Sequence, residues 1–378
     1  MSAVCLASLP DPLKDEDGRS LPSSDWPALR TDVRDLLLSI QYGTLPDRPQ
    51  NTTARPGAWQ TEENGWRSRV DRLTFTPRTD SPNVSFDLDI TLTLPSAQAV
   101  ASARERIPNY DENGLPVVLY VGGTRHHSVL NSGYALVNYP NDTLEPMEMG
   151  KPAFGPARRA YANLFGENHY TWGSIAAWAW GALRVADYVR DLPDLNGERI
   201  ALTGHSRNGK TALLAGALDE QIALVNPAGS GCAGAGSYLV LGPECEDLAA
   251  LTSRERWWAW THPEFENWAG REAELPFDQH WLMSLVAPRP ILRTEGFDDA
   301  WANPIGTSAT FLATQRVYDL LGVPERNCIH YRDGGHTHSE EDAACLIALC
   351  DETFFGAPRS LDLSQIHPET PPTDTFLT

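Results

Sequence analysis

A serine hydroxyl attacks an ester carbonyl only when a base takes its proton and fixed donors meet the charge that develops. Ser206 is placed for this. It lies in Gly204-His205-Ser206-Arg207-Asn208-Gly209-Lys210, between residues 199–203, which read as a short strand, and residues 211–217, which read as a helix. A sharp strand-to-helix turn exposes a hydroxyl and aims the first N–H groups of the helix at whatever approaches it. Asn208 stands where such an elbow usually has its second glycine, and Gly209 comes one residue later. A base is offered by Asp333-Gly334-Gly335-His336, directly after a strand predicted at 328–331; paired glycines let the loop turn the imidazole back. His338 competes, and His336 is preferred because it follows the glycine turn. For the acid, Glu295-Gly296-Phe297-Asp298-Asp299 follows a strand predicted at 290–294. Asp299 leads on spacing, with Asp298 and then Glu295 behind it. The oxyanion donors are the N–H of Arg207, its guanidinium, and Gly122-Gly123 as the second backbone candidate. His126 and His127 read as surface histidines.

Elements must bring residues 206, 299 and 336 together. Residues 26–42 and 172–190 carry apolar residues at helical spacing, while 69–78 and 84–94 alternate and read as paired antiparallel strands. Strands are predicted at 117–121, 134–139 and 222–226, helices at 279–286, 307–321 and 340–354, and irregular chain at 141–170. Strands alternating with helices imply a mainly parallel central sheet with helices on both faces, the α/β-hydrolase fold. Residues 1–25 are expected to be an N-terminal surface segment. Residues 26–378 form one domain, with a tryptophan-rich insertion at about 237–275 over the site.

The chain has 378 residues and a formal charge of -20, so nucleic acid and anionic membranes are not expected partners. No apolar run is long enough to span a bilayer. The first residues lack a basic, then apolar, leader, which reads as cytoplasmic, or as secreted or periplasmic if a leader was removed. Six cysteines without a Cys-x-x-Cys pair argue against zinc, and no metal or cofactor is expected; Cys232 with Cys245 is the best candidate disulfide.

The segment Trp172-Gly173-Ser174-Ile175-Ala176-Ala177-Trp178-Ala179-Trp180-Gly181 resembles one found in glucuronoyl esterases, carbohydrate esterase family 15. So do the elbow, Ser230-Gly231-Cys232-Ala233-Gly234-Ala235, Leu275-Pro276-Phe277-Asp278-Gln279-His280, Ala287-Pro288-Arg289-Pro290, Asp299-Ala300-Trp301 and Gly334-Gly335-His336. The resemblance runs in order over roughly residues 115–355. It implies cleavage of esters of 4-O-methyl-glucuronate, with Ser206 as nucleophile, His336 as base and Arg207 on the oxyanion. It further implies Lys210 on sugar hydroxyls, Trp301 beside the sugar, and Glu255 as a hydroxyl-binding glutamate. Many members carry the triad glutamate where this chain has Gly229, so the acid is expected from Asp299. The expected activity is therefore that of a serine esterase on a small or oligosaccharide uronate ester. The alternatives are an esterase of another acyl sugar or small ester, and a carbohydrate-binding homologue without catalysis.

Overall fold

A computed structural model describes all residues except 1–2, 15–16, 111–113, 152–153 and 378. Among the described residues the strands are β1 (Val4–Cys5), β2 (Asn51–Arg55), β3 (Gln60–Thr61), β4 (Arg67–Thr76), β5 (Phe86–Leu94), β6 (Leu115–Val121), β7 (Ala135–Tyr139), β8 (Leu195–His205), β9 (Leu224–Ala228), β10 (Val240–Leu241), β11 (Ile291–Gly296) and β12 (Asn327–Arg332). The α-helices are α1 (Trp26–Leu37), α2 (Ala97–Arg106), α3 (His127–Asn131), α4 (Asn141–Leu144), α5 (Pro156–Phe165), α6 (Ser174–Arg190), α7 (Arg207–Leu218), α8 (Leu248–Thr252), α9 (His280–Ser284), α10 (Pro304–Leu320) and α11 (Glu340–Phe355).

The main sheet runs β12-β11-β9-β8-β6-β7-β5-β4-β2, with β3 on β4. From β12 to β7 every neighbour is parallel; from β7 to β2 every neighbour is antiparallel. The chemistry of each strand matches its place. Pro116 to Val121 of β6 is buried throughout, as a central parallel strand must be, whereas Phe86–Leu94 begins by alternating buried and open positions, as an antiparallel strand with one wet face does. Helix α6 buries Trp178 and Trp180 completely, and α7 is buried from Gly209 to Ala217, so both lie within the layered core. A full turn of chain links each parallel strand to the next, so the C-terminal ends of β8, β9, β11 and β12 all open on one edge, where open α/β sheets bind their ligands.

Several expectations change. Residues 141–170 are not irregular throughout, since they hold α4 and α5; Pro156 opens α5 at a position that needs no N–H. The edge strands β2 and β3 lie on an exposed segment without apolar periodicity, which hid them. All six cysteines are free, Cys232 and Cys245 included. The N-terminal segment is tied down rather than merely laid on the surface: β1 pairs with β10, and Leu9 is buried against Leu239 and Val240. No described helix is long and apolar enough to cross a membrane.

Candidate active site

Ser206 occupies the bend between β8 and α7 with φ 60° and ψ -126°, a backbone state that a non-glycine residue adopts only when its surroundings hold it there. Those surroundings are tight. Its N–H donates to Ala228 O at 2.9 Å, and α7 passes so close to β8 and β9 that a Cβ on Gly209 would stand 2.7 Å from Ala228 O. This explains the displaced glycine. The close approach falls at residue 209, while Asn208 is free to carry a side chain that reaches Asn141.

The imidazole arrives on the turn after β12. Arg332, itself buried, pairs with Asp342 at 2.8 Å and donates to the carbonyls of Asp333, Gly335 and Thr337, which fixes the loop carrying His336. His336 Nε2 then lies 2.8 Å from Ser206 Oγ, and its Nδ1 lies 2.7 Å from Asp299 Oδ2. Asp299 is buried, and its other oxygen accepts from the N–H of Ala302, so the carboxylate cannot swing away. Asp298 is exposed. Glu295 is fully enclosed, neither of its oxygens has a hydrogen-bond partner among the described residues, and burial pushes its carboxyl well above the usual range. His338 is half-buried, with Nδ1 2.9 Å from the Tyr120 hydroxyl, and desolvation drives it well below the ordinary imidazole value.

A cavity of about 500 Å³ opens in front of Ser206 and His336, walled by Arg207, Lys210, Glu246, Trp257, Trp260 and Trp301 among others. Two of these indoles, and Glu246, come from the 237–275 segment. A larger cleft of about 960 Å³ lies at the other end of the sheet, near the starts of β8, β9 and β11, and none of the site groups named above lines it.

The remaining candidates divide. Arg207 lies beside the serine, its guanidinium gripped by both oxygens of Asp142 at 2.8 Å and stacked 5.5 Å above the Trp178 ring. Lys210 lines the cavity, but its ammonium already donates to the Ser230 carbonyl at 2.8 Å and to the Cys232 carbonyl, with Glu246 at 3.5 Å. Trp301 is half-open to solvent, with Arg256 4.6 Å over its ring. Glu255 is exposed and absent from the cavity wall; the carboxylate that faces the site is Glu246, which is also 3.5 Å from Arg256. Gly122 is excluded as an oxyanion donor, because its N–H is spent on Tyr139 O at 2.7 Å. His126 is not a surface residue but buried, with its ring 4.6 Å from that of His338; His127 is exposed.

The sequence alone gives His205 a place in the elbow but no role. Its ring packs 4.5 Å from that of His336, and burial, with His336 alongside, pushes it down to about 4. It also accounts for the missing glutamate. Gly229 has φ +48°, and a Cβ there would stand 3.0 Å from His205 Nε2 and 3.6 Å from Asp299 Oδ2. The space beside the triad is already filled. The only sequence signal for this was the pair itself, a bulky residue at 205 and a glycine at 229.

Comparison with known proteins places the chain in a family. The family model described as "Glucuronyl esterase, fungi" matches residues 90–322. A 4-O-methyl-glucuronoyl methylesterase of Wolfiporia cocos is 28% identical over 87% of this chain and 76% of its own length. One of Phanerochaete chrysosporium is 30% identical over 88% of this chain and 66% of its own. In structure, a carbohydrate esterase family 15 glucuronoyl esterase from Caldicellulosiruptor kristjansonii superposes with a TM-score of 0.78 and 28% identity, covering 97% of this chain and 96% of that one. The chain thus belongs to the glucuronyl esterase family, as a glucuronoyl esterase-like ester hydrolase of the α/β-hydrolase fold.

Proposed function

We propose that the chain hydrolyses esters whose acyl group is a glucuronate, through an acyl-enzyme formed on Ser206. The observation that carries this is His336 bridging Ser206 and Asp299 at 2.8 and 2.7 Å at the mouth of a polar, indole-walled cavity. In the first step Ser206 Oγ attacks the ester carbonyl and its proton passes to His336 Nε2. Asp299 accepts from Nδ1–H, which holds the productive tautomer and stabilises the imidazolium. The negative oxygen is met by the N–H of Arg207 and by its guanidinium. His336 then protonates the departing alcohol, and water, deprotonated by the same imidazole, releases the acid.

The acyl side fits the walls. An oxygen-rich sugar finds an ammonium and a carboxylate in Lys210 and Glu246, and an aromatic edge in Trp301, with Arg256 behind both Glu246 and Trp301. Lys210 exchanges its longest contact, the one to Glu246, for a sugar hydroxyl and keeps the two loop carbonyls. The acidic surface leaves the alcohol side to a neutral or oligosaccharide-linked group rather than a nucleic acid or an anionic membrane.

The test compares kcat/KM for benzyl or methyl glucuronate with that for 4-nitrophenyl acetate. The uronate ester is expected to be preferred, and Ser206→Ala to abolish both activities. A reversed preference removes the uronate reading and leaves the esterase. Failure of a fluorophosphonate to label Ser206 removes the esterase as well.

A further inference from the structure

A guanidinium stabilises a developing oxyanion only if it is aimed before the charge appears, since reorienting it during the reaction would cost what the interaction returns. In this chain the aiming device is a short helix at the end of β7, which β6 separates from β8 in the sheet. Directly after β7, two consecutive residues of α4 grip two consecutive residues of α7. Asn141 Nδ2 donates to Asn208 Oδ1 at 2.9 Å, and Asp142 accepts from both terminal nitrogens of Arg207 at 2.8 Å each. The helix that makes this grip is itself anchored: Leu144 is buried, and the Trp178 indole N–H donates to Glu145 O at 2.8 Å while its ring floors the Arg207 guanidinium. Met147 Sδ closes a third side, 3.0 Å from Nη1.

We infer that Asp142 is a positioning residue for the ester hydrolysis, acting through Arg207. The inference rests on the reading of Arg207 as an oxyanion donor. A guanidinium has five N–H groups in a rigid fork. A carboxylate that binds both terminal nitrogens occupies the far edge of the fork; with Met147 Sδ on Nη1, Nε–H and the outer N–H of Nη2 are left for other partners. The pair is a poor stability device. The Asp142 side chain is 53% exposed, and exposed ion pairs contribute little. Its yield is orientation. Two effects oppose each other when the carboxylate is neutralised: the guanidinium loses its fixed plane, and it also loses a nearby negative charge that weakens its pull on the oxyanion. Misplacement wins, because the fork's advantage over a point charge is geometric.

The experiment is a cycle of Asp142→Asn, Asp142→Glu, Arg207→Ala and the Asp142→Asn/Arg207→Ala double variant, with kcat and KM measured on methyl glucuronate ester and folding checked by thermal melting. Asp142→Asn is expected to lower kcat about tenfold with KM within about twofold and an unchanged melting point. Asp142→Glu is expected to recover part of the loss, and Asp142→Asn to have no further effect once Arg207 is alanine. An unchanged or faster Asp142→Asn enzyme overturns the positioning role, as does an equal loss in the Arg207→Ala background. If Arg207→Ala itself keeps kcat, the oxyanion reading of Arg207 falls and the positioning role falls with it. If Arg207→Ala is slow while Asp142→Asn is silent, only the positioning role is lost.

Discussion

Replacing Asp299 by Asn isolates the acid of the triad. The substitution keeps the shape and leaves a carbonyl to accept from the N–H of Ala302, so the turn after β11 should survive. What it removes is the negative charge beside Nδ1. In the ground state the imidazole is neutral and little changes, and the 2.8 Å contact to Ser206 can persist. In the transition state the imidazole is a cation about 4 Å from the carboxylate charge. At an effective dielectric of about 20 that attraction amounts to about 4 kcal/mol, or roughly a thousandfold in rate. An amide NH2 turned toward the ring would also fix the wrong tautomer and extend the loss to about 10⁴. Neither neighbour can substitute. Asp298 faces solvent, and Glu295 is enclosed with its carboxyl pushed above the usual range by burial. The assay is kcat on benzyl glucuronate, with KM and melting point as controls. The expected result is a loss of about 10³–10⁴ in kcat with KM within a few fold. An Asp299→Asn enzyme within tenfold of the parent would refute the assignment, decisively so if Glu295→Gln or Asp298→Asn proved crippled instead.

Two further outcomes follow from the same geometry. Glu246→Gln should lower kcat/KM on the uronate ester by about 10–100-fold, the range for a hydrogen bond to a charged group, while 4-nitrophenyl acetate turnover changes little and Glu255→Gln changes neither; equal effects at 246 and 255 would contradict the cavity wall described above. Stability should fall on acidification. His126, His205 and His338 have imidazole values lowered chiefly by burial, so the unfolded chain binds more protons than the folded one below about 6.5, and their contribution is present above that value and lost as pH falls, for His205 down to about 4. Each contributes up to about 1.4 kcal/mol per pH unit in that window; His262 and His280, also lowered, add to it, and Glu295, Glu145 and Asp351, whose values are raised, offset part of it. Urea unfolding at pH 7.5, 6.5 and 5.5 should show net proton uptake on unfolding at the lowest pH; a flat profile would mean that the raised carboxyls cancel these rings or that the rings are protonated in the fold.

What could be read in the sequence was whatever depends on local spacing. The elbow, the parallel-strand alternation and the return of His336 all follow from glycine placement and apolar runs. The acid stayed open among three carboxylates because they lie within five residues of one strand end and differ only in direction: Glu295 turns into the sheet, Asp298 toward solvent, Asp299 toward His336. The exchange of Glu255 for Glu246 has a similar cause. The 237–275 segment is mostly short turns, where no periodicity tells which acid points inward. His126 looked superficial because its cover is distant in sequence; the turn before α11 brings His338 and Glu340 against it. The Gly122 N–H was lost to Tyr139 by a contact between parallel strands, which composition alone does not reveal.

The departures from the usual family pattern belong to one packing solution. In a Ser-His-Asp system the carboxylate that faces the imidazole holds its tautomer and stabilises the cation that forms. In this chain Glu295 lies four residues before Asp299 without a hydrogen-bond partner among the described residues, and burial together with Asp299 itself favours its neutral form. On the other side, the rings of His205 and His338 stack at 5.8 Å, with His205 directly against His336, and burial disfavours a charge on either. A side chain at residue 229 would enter this same space, 3.6 Å from the Asp299 carboxylate, and would both crowd His205 and add a second anion if it were acidic. Glycine at 229 and histidine at 205 are therefore two halves of one arrangement. The volume that a glutamate would fill is taken by a neutral ring, and Asp299 is left as the single charge that the reacting imidazolium meets.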